Sequence, residues 1–144
     1  MSETTETDLF TDTIDANTFI TDGDEVSAEY SIDIAGSVTS TQRIRAYVGG
    51  TVVYDSTALT FGATASSLQL YVSAMRSASG SLRCSTLIDS DNTILTARAK
   101  NSTVSGLTFS SGIVIKITAQ AGSAGAASNQ AIGRKSSTLL LPAA

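Results

Sequence analysis

Two short acidic runs, Asp22-Gly23-Asp24-Glu25 and Asp89-Ser90-Asp91-Asn92, space their side-chain oxygens as a Ca²⁺ loop does. Neither continues to the glycine and distal glutamate of an EF-hand, and Asp, Asn and Gly are also the residues of tight turns. No metal site is assigned to them. A thiol nucleophile would have to be Cys84, the single cysteine, but the chain has no histidine to activate it or a serine. No glycine-rich phosphate loop with its lysine is present. Paired carboxylates for glycoside hydrolysis must face each other across a cleft. Beyond residue 42 only Asp55, Asp89 and Asp91 remain, each at a strand end or turn. Tyr47, Tyr54 and Tyr71 are either sugar-stacking platforms or packing residues. Arg43, Arg45, Arg76 and Arg83 form either a basic strip or an ordinary solvated face. The expectation is a protein without catalysis or cofactor that works through its contacts.

The elements that carry these residues are strands. Val26, Ala28, Tyr30, Ile32 and Ile34 alternate without a break with Ser27, Glu29, Ser31 and Asp33, a period of two that buries one face. Ile44, Ala46 and Val48 alternate with Arg43, Arg45 and Tyr47, and Gly49-Gly50 closes a two-residue hairpin into Thr51–Asp55. Further strands are predicted over Leu68–Met75, around Leu82–Ile88, over Thr93–Ala99, Val104–Phe109 and Ile113–Gln120, and from Ala131 to Leu141, ended by Pro142, the only proline. The small-residue stretch Ala121–Ser128 reads as a loop. Cys84 shares its face with Leu82 and Ile88 and reads as a small buried hydrophobe. No segment shows a helical period with caps. The fold class is all-β, an antiparallel β-sandwich of about eight strands, with a jelly roll as the specific topology.

Serine and threonine number 42 against 22 charged residues, so solubility rests on hydroxyls and the core on small aliphatics. The charge is lopsided. Residues 1–42 hold ten acids and no base, whereas residues 43–144 hold nine bases and three acids. The bases are scattered singly apart from Arg134-Lys135, which disfavours nucleic acid as a partner. The Leu139-Leu140-Leu141 run is far shorter than a membrane span, and the acidic opening Met1–Glu6 does not match a secretory signal. A soluble chain made in a cytoplasm, with no membrane partner, is expected. Residues 1–20 read as an acidic N-terminal arm ahead of a sandwich domain over residues 21–144. The arm's spaced apolar residues Leu9, Phe10, Ile14, Phe19 and Ile20 are the expected partner interface.

The stretch Asp22–Tyr30, then Gly36, then Arg43–Ser56, followed by Met75-Arg76 and the terminal Leu139–Ala143, resembles a small β-sandwich module of tailed bacteriophage virions. The likeness extends over roughly residues 18–143. The chain lacks the tryptophan that such modules often carry in the strand represented here by Leu68–Met75. The resemblance implies a structural role on the capsid exterior: a decoration (cement) protein, a homotrimer that binds the major capsid protein. The alternative it implies is a tail-fibre, spike or receptor-binding module that contacts a host glycan.

Overall fold

The computed structural model describes residues 5–35, 41–60, 66–91, 98–122 and 130–143. Ten strands are formed: β1 (Thr7–Ile14), β2 (Glu25–Ala35), β3 (Thr41–Val48), β4 (Thr51–Asp55), β5 (Leu59–Thr60), β6 (Ser66–Ala78), β7 (Ser81–Ser90), β8 (Ala99–Ser105), β9 (Ile113–Ala121) and β10 (Gln130–Leu141). One sheet runs β1-β9-β3-β4 with β5 also on β3, and the other runs β10-β2-β6-β7-β8. Every pairing is antiparallel. The chain is therefore a two-sheet β-sandwich.

Period-two alternation decides which face is buried. Val26, Ala28, Tyr30, Ile32 and Ile34 are all buried, and β3 buries Ile44, Ala46 and Val48 while Arg43, Arg45 and Tyr47 face outward. Leu68, Leu70, Leu82, Ile88, Ile115 and Ile117 complete the core between the sheets. Cys84 lies in the same layer, and burial pushes its thiol up to about 11. The Gly49-Gly50 hairpin has both residues at positive φ, 56° and 81°, as a type I′ turn demands.

Two expectations are corrected. The segment read as an extended arm runs, from Thr7 to Ile14, as the edge strand β1, held to β9 from Thr7↔Ala119 to Ile14↔Ile113. Across the bulge between Asp8 and Phe10, Leu9 and Phe10 both pack against the core, and Ile14 is buried on the same strand. The final β7–β8 pairing engages Ala99–Ser105; Leu107 and Phe109 lie beyond that strand yet are packed against the core. Most of the strand expected at Thr93–Ala99, and most of the Ala121–Ser128 loop, lie outside the described residues. The jelly-roll reading called for about eight strands; here each sheet holds five, one of them built on the β6–β7–β8 meander.

Candidate interaction surface

One end of the sandwich is knitted together by side chains from distant turns. Asp24, 7 % exposed, accepts the backbone N–H groups of Ile20 (2.7 Å), Thr21 (2.7 Å) and Ala143 (2.9 Å) through its carboxylate. These backbone donors, led by Thr21, hold its pKa below the usual carboxylate range. The Asp22-Gly23-Asp24 run is thus a turn, with Gly23 at φ 102°, whose aspartate ties the end of the chain to the β1–β2 connection. Arg76 reinforces the same end. It donates to Asp22 Oδ1 at 2.8 Å, to Phe19 O at 2.9 Å and to Ile20 O, and lies over the Phe109 ring at 5.4 Å.

Against this frame the five expected interface residues separate. Ile14 and Phe19 are buried, and Leu9 and Phe10 are half-buried against the core, with Phe10 tilted onto Tyr30 at 5.1 Å between ring centroids. They hold the molecule itself together. Only Ile20 stays out, at 72 % exposure. It lines a shallow hollow of about 340 Å³ with Leu140 and Pro142.

Leu139, Leu140 and Leu141, expected in the last strand and too few for a membrane span, form an exposed apolar feature. All three are exposed on β10, and among the described residues no strand pairs with the far side of β10. Leu139 and Leu141 stand in register with Ser27 and Glu25 on the outer face; Leu140 stands with Val26 on the inner face, yet is 49 % exposed. The first sheet approaches β10 higher up, where a Cβ on Gly133 would lie 2.7 Å from Phe10 Cζ and 3.2 Å from Leu9 O. The available signal was the loss of alternation: three successive leucines in a strand place apolar side chains on both of its faces. Beside them, on the outer face, a groove of about 390 Å³ has Ser27, Ser73 and Ser85 as its floor and Tyr71, Leu87 and Leu139 as its walls.

The opposite outer face is polar and internally neutralised. Asp55 accepts from Arg43 Nε (2.8 Å) and Arg45 Nε (3.1 Å), while Glu6 accepts from Arg45 (2.5 Å), Tyr47 OH (2.6 Å) and Thr118 (2.5 Å). Of the two readings of these arginines, the basic strip is broken up at Arg43 and Arg45 by two carboxylates. Hydrogen bonds from Arg43, foremost, hold Asp55 well below its ordinary pKa. A depressed carboxylate contributes stability that is full above about pH 4 and is lost as the pH falls below that range. Asp55→Asn is expected to cost about 1–2 kcal/mol at pH 7, the partial exposure of the site keeping the figure modest. Urea titrations at pH 7 and pH 3 check this: the gap between the two proteins narrows at the lower pH, the folded-state carboxyl being held still lower.

Among the described residues no group of three His, Cys, Asp or Glu side chains gathers to hold a metal, and no helix is long and apolar enough to cross a membrane. Comparison with protein-family models, with curated proteins and with solved structures found no match to this chain.

Proposed function

We propose that this protein is a structural component of a tailed-phage virion, a decoration protein that binds the outer capsid surface and associates with its own copies. The observation that carries the reading is the exposure of four large apolar side chains around the end of β10, Leu139 and Leu141 on its outer face and Leu140 with Ile20 on the other side, at one end of an otherwise well-buried sandwich. Large apolar side chains left exposed together on a rigid scaffold mark a protein contact. The family resemblance supplies the capsid as the partner. The reading moves the contact from the N-terminal segment to the end of β10. The full chain, mixed with capsids assembled from the major capsid protein of the same genome, is expected to co-sediment with them. Leu139→Glu combined with Leu141→Glu is expected to abolish this while the purified protein keeps its thermal midpoint. Failure of the unaltered chain to co-sediment overturns the reading.

A second reading rests on Tyr71, which stands 41 % exposed beside the serine-floored groove. An exposed ring next to a row of hydroxyls suits a sugar face and supports a receptor-binding module as the alternative. Glycan-array binding that Tyr71→Ala removes favours this reading.

A further inference from the structure

We propose that the free edge of β10 is a two-fold contact between two copies of this chain, which pair antiparallel about Thr138 and join their sheets into one. The inference rests on the self-associating reading above and names the strand that carries it. Sheet edges invite foreign strands, and proteins blunt them with charge, bulges, short length or cover. Three of the four edges here are blunted. β1 carries Asp8 and Asp12 and a bulge between Asp8 and Phe10, β4 has five residues, and β8 has seven with Lys100 among them. β10 has twelve residues, with a bulge and Arg134-Lys135 in its first half. From Ser136 to Leu141 it has neither charge, nor proline, nor bulge. This stretch is fit for pairing.

The charge pattern selects a second copy as the occupant. Residues directly opposite in an antiparallel pair share a face, so a two-fold axis must pass through a residue of β10. With the axis at Thr138, Ser137 meets Leu139, Ser136 meets Leu140 and Lys135 meets Leu141 of the other copy. Leu141 is itself in register with Glu25 on β2. The row then reads Lys135 of one copy, Leu141 and Glu25 of the other, with the two charges roughly 10 Å apart at their Cα atoms, a gap long side chains shorten. Behind Glu25 stand Asp22 and Asp24 of the acidic turn. The match occurs twice by symmetry. The two Lys135 residues lie roughly 20 Å apart along the ribbon and do not repel appreciably. Pairing β1 with itself about its middle would instead set Asp8 against Asp12. Leu139, Leu140 and Leu141 of each copy gain a cross-strand neighbour along one ribbon, while their faces stay open to the capsid contact proposed above.

Sedimentation of the full chain over a concentration series tests the contact. Thr138 is exposed in the single copy, so Thr138→Lys leaves the fold intact and places two ammonium groups face to face on the axis. It is expected to raise the dimer Kd by roughly fivefold or more. Lys135→Glu and Glu25→Lys are each expected to weaken the dimer, and their combination to restore it. Thr138→Cys is expected to cross-link into covalent dimers under mild oxidation, Cys84 being buried. An oligomer of any size that Thr138→Lys leaves unchanged and that Thr138→Cys does not cross-link overturns the two-fold contact while self-association stands. A chain that stays monomeric at its highest soluble concentration overturns both.

Discussion

Deleting residues 1–20 is expected to lower the thermal midpoint of this sandwich by about 15 °C or more. The sequence reading of these residues as a detachable arm leads to the opposite expectation, an intact fold that no longer binds. The difference lies in where their apolar side chains go. Ile14 and Phe19 are 6 % and 2 % exposed, and Leu9 and Phe10 rest against the same core. Returning such side chains to water costs about 1.5–3 kcal/mol each, and at this chain length each kcal/mol shifts the midpoint by about 2–4 °C. The deletion also strips β9 of its ladder partner, creates a new open edge and removes Glu6 from Arg45 and Tyr47. Phe19 is coupled to Phe109 at 5.4 Å, so the β8–β9 turn loosens as well. Differential scanning calorimetry of the truncated and full chains decides the matter. An unchanged midpoint would show that β1 contributes nothing to the core.

Tyr30→Ala is expected to cost about 4 kcal/mol, whereas Tyr30→Phe changes stability by less than about 1 kcal/mol. Tyr30 is fully buried at the centre of β2, the strand held between β10 and β6, and its ring meets Phe10 across the two sheets. Alanine leaves a ring-sized void that so closely paired a strand cannot collapse to fill. The hydroxyl contributes little to this. It is buried without a hydrogen bond of ordinary geometry, and the nearby Asp12 Oδ2 is in the same condition. Burial foremost, and then the charge of Asp12, raise the phenol pKa, so the hydroxyl stays protonated through the physiological range. Phenylalanine keeps the ring and removes one uncompensated polar atom. Urea denaturation of the two variants separates ring from hydroxyl, and a large loss in Tyr30→Phe would mean that the hydroxyl has a strong partner after all.

Strand positions were legible because the alternation on β2, β3 and β7 is governed by burial on one face, a local rule that pairing does not alter. The Gly49-Gly50 turn was legible for a similar reason: both positions need positive φ, and two glycines admit it without strain. The pairing of β1 was not legible. Thr7–Ile14 is acidic and broken by a bulge, and nothing local distinguishes an edge strand of that kind from a loose terminus that carries a few apolar residues. The interaction surface was hidden for a different reason. The leucines of β10 look like core residues, but the first sheet meets β10 at Gly133 and leaves Leu140 uncovered, while Leu139 and Leu141 stand on the outer face. Asp24 was seen as a turn residue. That its carboxylate reaches Ala143 depends on a contact across nearly the whole chain.

The β1–β9 ladder joins segments about a hundred residues apart. At ribosomal elongation rates that separation corresponds to roughly 5–20 s during which the first strand has been made and its mate has not. Through that interval Asp8 and Asp12 keep the unpaired segment hydrated and disfavour its pairing with a second copy of itself. Two carboxylates thus guard an edge strand while it waits for its mate, and β10, made later still, adds its ladder to β2 afterwards.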